Sequence, residues 1–199
     1  MATQGDYERL FASTRAEMHD LADRLASGAL SVDDWGDEVY GLLAESHAEA
    51  YALGRQRAGR AGLRSADDDF LGRGIADNEV DYLGNFLDDL EGDRYLDAEG
   101  NLKADVLKSR LDLYCHRLRG TANEAFVEES PSISVFRWRL GIVEHCEDCL
   151  TMEAQNPYTQ TTMYRHPADG SCDCKTNCHC YLQRQDGVEG FKRAPTTTD

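Results

Sequence analysis

The chain has 199 residues and seven cysteines, and six of those cysteines lie between Cys146 and Cys180. No other feature restricts the fold as much, because thiols gathered this densely must be paired, metal-bound or reactive. Cys146 and Cys149 form a C-x-x-C pair. Cys172, Cys174, Cys178 and Cys180 form two C-x-C pairs, and His145, His166 and His179 lie close by. A C-x-x-C turn points two sulfurs at one tetrahedral ion with backbone amides turned toward the thiolates, and the second group supplies further soft ligands. In a reducing compartment the natural occupant is Zn²⁺.

Other uses of the thiols fit less well. A disulfide framework needs oxidising surroundings, and an odd number of cysteines leaves one unpaired. A redox C-x-x-C opens a helix within a βαβ unit, and the sequence shows no such unit. A zinc deaminase needs H-x-E followed by a separate P-C-x-x-C, whereas in "HCEDC" the histidine and glutamate overlap the only C-x-x-C. A catalytic zinc keeps an open coordination position, and abundant thiolates argue for a closed structural site instead. Glu144, Glu147 and Asp148 beside the pair read as loop solubility, not as a general base, so no enzymatic activity is expected. The residues after Pro131 carry few apolar side chains to set against roughly 1–2 kcal/mol per residue of backbone ordering. A structural zinc contributes on the order of 10 kcal/mol and would compensate for that missing core.

The rest of the chain differs in charge and pattern. The whole carries 37 acidic and 21 basic residues, a net charge of −16, and almost all of the excess falls in residues 1–130. An anionic body opposes docking on a phosphate backbone. The one basic cluster is Arg55, Arg57, Arg60 and Arg64, which suits a solvated helix end. Apolar runs are far short of the ~20 residues that span a bilayer, and the N-terminus shows no signal-peptide pattern. The expected location is a reducing cytoplasm, with no membrane contact.

Residues 1–130 read as helices. Tyr7, Leu10, Met18, Leu21 and Leu25 recur at helical intervals up to Gly28. Ser31 with Asp34 resembles a capping box ahead of Trp35, Val39, Leu42, Leu43 and Tyr51. "SADDDFLGRG" reads as punctuation before a third helix carrying Val80, Leu83, Leu87 and Leu90, and "EGDRYLDAEGN" as a polar loop. A fourth helix repeats Leu107, Leu111, Tyr114, Leu118, Ala122 and Ala125, with Cys115 as a small core residue on that stripe. Pro131 then stops the helices. "SISVFRWRL" alternates, with Ser134, Phe136, Trp138 and Leu140 on one face of a strand. The expected fold is α+β, mostly α: a helical domain over 1–130, a small β-containing, zinc-knuckle-like module over 131–185, and a flexible tail over 186–199.

The order of "RLDLYCHRLRGTANEAF", "FRWRLG", "EHCEDCL", "YTQTTMYRHPADG" and "CKTNCHCYL" resembles the C-terminal module of tailed-bacteriophage minor head proteins, the phage head morphogenesis class. Matching positions are Trp138, Cys146, Asp148, Cys149, Pro167, Cys178, Cys180 and Leu182, over about residues 104–182. Cys172 is an extra thiol, and "HPADGSCDC" departs from the tight turn of that class. The resemblance implies zinc ligands Cys146, Cys149, Cys178 and Cys180, with Cys174 next. It leaves open a second ion, or His166 or His179 as a ligand, and makes His145 a loop residue beside the site.

The same resemblance implies a non-enzymatic virion structural protein of the head, a minor capsid or head-morphogenesis component assembled in the host cytoplasm. Its expected partners are the portal and/or major capsid protein, in a multi-copy assembly, with no direct nucleic-acid binding. The alternative is a zinc-ribbon-type nucleic-acid-binding or regulatory protein, drawing on Arg137, Arg139 and the Arg55–Arg64 cluster.

Overall fold

The computed structural model describes residues 1–194, apart from the side chains of Glu91 and Asp93. Four long helices, α1 (Gln4–Ala26), α2 (Val32–Ala58), α3 (Ala66–Glu91) and α4 (Ala104–Glu128), precede strand β1 (Phe136–Arg139), a short helix α5 (Glu147–Ala154) and strand β2 (Tyr181–Arg184). The fold is α+β and mostly α. Among the described residues no helix is long and apolar enough to cross a membrane.

Local chemistry sets the helix starts. Thr3 caps α1 and Ser65 caps α3, each in a reciprocal box with the aspartate three residues on, Asp6 and Asp68. The Ser31 hydroxyl accepts from the Asp34 amide at the start of α2. The stretch "SADDDFLGRG" is therefore a helix start and not a break: α3 runs straight through Gly72 and Gly74. Gly72 is needed for proximity. A Cβ there would stand 2.5 Å from the Ala48 amide nitrogen, so glycine lets α3 cross close over α2.

Two interiors result. In the helical body Trp35, Phe86, Leu107 and Leu111 are fully enclosed, and Cys115 sits among them with burial pushing its thiol up to about 12. The "polar loop" after α3 contributes as well: Tyr95 is buried with its ring 5.4 Å from Phe86.

The second interior lies under the cysteine module. Phe136 and Trp138 point inward from β1, as the alternation predicts, while Arg137 faces solvent. β1 pairs antiparallel with β2, Trp138 opposite Leu182. On its other edge the Asn156 side chain accepts from Trp138 N at 2.6 Å and donates to Trp138 O at 2.9 Å. Met152, Tyr158 and Met163 fill in beside these residues, and α4 lends Phe126 and Val127. The module is thus less bare than its composition suggests, because it shares a wall with the body.

The expected flexible tail is also corrected, as far as Ala194; residues 195–199 lie outside the described residues. Phe191 is fully buried against Tyr7, with ring centroids 5.4 Å apart. Asn123 accepts from Phe191 N at 2.7 Å and donates to Phe191 O at 3.1 Å, and Gln4 makes the same paired contact with Lys192. Four backbone-directed hydrogen bonds and an aromatic anchor hold this segment onto the helical body.

Candidate metal centre

Three segments bring the sulfurs together. Cys146 is the N-cap of α5, so the C-x-x-C occupies that helix's first turn and Cys149 points inward from it. Glu147 and Asp148 fill the same turn, where the helix dipole favours acids. A loop then carries Cys172 and Cys174 back over α5, and Cys178 and Cys180 lead into β2. Lys175, at φ +50°, opens the short 3₁₀ turn Lys175–Asn177 that follows Cys174.

The clamp across these segments is Asp148. Its Oδ2 accepts from Asp173 N at 3.0 Å, between the two cysteines of the first C-x-C, and its Oδ1 pairs with Arg165 at 2.5 Å. The Arg165 hydrogen bond, helped by the Asp173 amide, holds the Asp148 carboxyl below its ordinary value. Read from sequence as a solubilising loop acid, Asp148 instead ties the C-x-x-C to the returning loop.

Cys149, Cys172, Cys174 and Cys178 place their four sulfurs within 4.8 Å of one another. Cys149 Sγ lies 3.6 Å from Cys174 Sγ and 3.7 Å from Cys178 Sγ, and Cys172 Sγ lies 3.6 Å from Cys174 Sγ. Sulfurs about 2.3 Å from a tetrahedral ion are about 3.8 Å apart, so these separations fit one such centre. Four close cysteines can therefore hold a metal ion.

Their proton sharing shows the same crowding. Donation from Cys149 pulls the Cys178 thiol down, and donating to Cys172, Cys174, Cys178 and Cys180 holds Cys149 up. A cation would release all four as thiolates.

Of the residues expected from sequence, Cys149, Cys174 and Cys178 lie in this group together with Cys172, the thiol set aside as extra. Cys180 belongs to a neighbouring group with His145 and, again, Cys149. Cys146 is half-buried. Burial works upward on its thiol, but amides and thiols of Cys149 and Cys174 outweigh it and lower its value. His166 and His179 are in neither group: the His166 amide donates to Asp169, and His179 Nε2 meets Arg193.

Sequence reading also missed Arg119, which is fully buried and donates to the Cys178 carbonyl. Burial pushes its guanidinium down, with Tyr7, Cys178 and Cys180 acting the other way. A dication among four thiolates leaves net negative charge, and Arg119 sits where it offsets part of it. The only hint in the sequence is an arginine on the apolar stripe of α4.

The Arg55–Arg64 cluster is spent on internal contacts. Arg55 pairs with Asp68, Arg57 donates to Glu189 O and Ala2 O, Arg60 to Glu129 O, and Arg64 pairs with Glu45 and Asp69. Buried Arg184 donates to Ala58 O and Ser130 Oγ, both at 2.9 Å. A groove of about 490 Å³ opens between α3, α4 and the Lys175–Asn177 turn, floored by Glu79, Tyr82 and Arg117. No protein-family model, curated protein or solved structure matches this chain.

Proposed function

We propose that the protein is a non-enzymatic structural component of a tailed-bacteriophage head, a minor capsid or head-morphogenesis protein that docks on portal or major capsid protein in several copies, with structural zinc at the cysteine cluster. The observation that carries this reading is the order of parts around the sulfurs. A long helix leads to a Trp-bearing strand, a C-x-x-C on a helix N-terminus, a Pro-containing loop and a C-x-C running into the pairing strand, which is the arrangement whose sequence resembles that class. The soft, closely spaced, mostly buried donors suit zinc among cytosolic metals.

The surfaces favour a protein partner over nucleic acid. The Arg55–Arg64 guanidiniums are held by carboxylates and carbonyls of the same chain, which leaves them few donors for phosphate. α3 exposes Phe70 and Tyr82 between acidic residues, a mixed face suited to a basic, partly apolar protein surface.

The test is capture of purified portal and major capsid proteins in the absence of DNA. Binding that persists at high salt is expected. Failure with both, together with DNA binding that falls steeply with salt, would instead indicate a zinc-ribbon-type nucleic-acid protein.

A further inference from the structure

His145 is the residue that the four-sulfur centre leaves unused. Its Nε2 lies 3.0 Å from Gly141 O, close enough to donate and so to fix the tautomer with Nδ1 unprotonated. Nδ1 lies 3.5 Å from Cys180 Sγ. A nitrogen about 2.0 Å and a sulfur about 2.3 Å from one tetrahedral ion are about 3.5 Å apart. A metal-bound histidine whose other nitrogen donates to a carbonyl is the usual arrangement of such ligands.

The third member of the group is Cys149, whose sulfur also belongs to the four-cysteine centre. A second feature points to the same place. Trp138, paired across the sheet with Leu182 two residues beyond Cys180, is fully buried with no hydrogen-bond partner for Nε1. A buried N–H without an oxygen or nitrogen acceptor is uncommon, and an anionic sulfur would satisfy it.

We infer that the module holds two metal ions and not one, with the Cys149 thiolate bridging them: one ion on Cys149, Cys172, Cys174 and Cys178, the other on Cys149, Cys180 and His145. Two tetrahedral ions sharing a ligand take seven donors; the two groups supply six, which leaves the second ion one position for a further donor. Cys146, beside His145 in sequence and three residues before Cys149, is a half-buried free thiol outside both groups. The inference rests on the metal-binding part of the proposed function and deepens it.

The ion that such donors select is divalent, thiophilic and tolerant of a nitrogen ligand, which describes zinc or cadmium. Elemental analysis of the full-length protein is expected to give two ions per chain. His145→Ala and Cys180→Ser should each reduce the count to one, while Cys115→Ser leaves it at two.

With ¹¹³Cd in place of the native metal, two resonances coupled to each other through the shared sulfur are expected. The wild-type count and the cadmium spectrum stand even if a variant does not fold. One ion per chain, unchanged by His145→Ala, would overturn the second site and leave the first intact. Two uncoupled resonances would overturn the bridge. No ion at all would remove the metal reading altogether.

Discussion

Trp35 and Trp138 are both fully buried, but in interiors of different kinds. Around Trp35 the walls are helices of 23 to 27 residues, long enough to cover a large ring from several sides. Around Trp138 the elements are strands of four residues and a helix of eight, and Cys149, Cys172, Cys178 and Cys180 are among the residues buried there. A two-stranded ribbon is marginal on its own in water. The body's interior follows from element length, whereas the module's depends on cross-linking atoms and on the wall that α4 lends through Phe126. Phe126 stacks edge-on against Phe136, with ring centroids 5.7 Å apart.

The sharpest test of that difference is removal of the metal ion that we propose the cysteine cluster holds. Chelation, or Cys149→Ser, is expected to release the module at a cost on the order of 10 kcal/mol while most of the helical circular dichroism survives. Trp35→Phe and Trp138→Phe give single-tryptophan reporters of each interior, so Trp138 emission should shift while Trp35 emission holds. If both shift together, or if protease resistance beyond Pro131 is unchanged, the two interiors are not distinct. The converse test is Leu111→Ala, which empties a fully buried site in the body. A loss of about 2–5 kcal/mol is expected, seen as a fall in thermal midpoint with metal content retained.

Between these lies the seam. Gly120 on α4 faces Ala168 of the module, and a Cβ at Gly120 would stand 2.6 Å from the Ala168 carbonyl oxygen. Gly120→Ala is expected to cost about 1–3 kcal/mol and to move both tryptophan signals, because it separates the module from its borrowed wall.

A smaller effect comes from pH. Burial pushes the His116 imidazole in the body down from 6.5 to about 4, with Arg193 and Arg119 assisting. A histidine with a lowered folded value stabilises above its unfolded value. That contribution fades as pH falls from about 6.5 toward 4, a loss of about 1–2 kcal/mol after discounting for solvent screening. The Trp35 midpoint should therefore drop between pH 7 and pH 5, and His116→Gln should flatten the dependence.

Periodic burial was legible in the sequence, and long-range polar contacts were not. The stripe Leu107, Leu111, Leu118, Ala122 and Ala125 and the inward pair Phe136 and Trp138 sit where their spacing predicts, because period alone decides which face a regular element buries. Gly72 misled: a glycine pair after Ser65 suggests a break, and only the position of α2 reveals that the glycine makes room. Tyr95 and Phe191 were hidden by polar neighbours, since one aromatic in a charged stretch has no periodicity.

At the candidate metal centre the segments involved were evident from the cysteines, but their grouping was not. Spacing along the chain cannot say that Cys172 lies beside Cys174 and Cys149 while Cys180 turns toward His145. That sorting is set by Asp148 holding Asp173, a contact between residues 25 apart in sequence.

The packing of Phe191 on Tyr7 orders events in time. Residues 188 positions apart, Gln4 and Lys192, must meet before the first helix is fully covered. A ribosome finishes α1 long before it supplies the ring that covers it, so the nascent chain carries an open socket at Tyr7 until Phe191 has been made. A segment made after every helix and strand of this fold acts as the latch for α1.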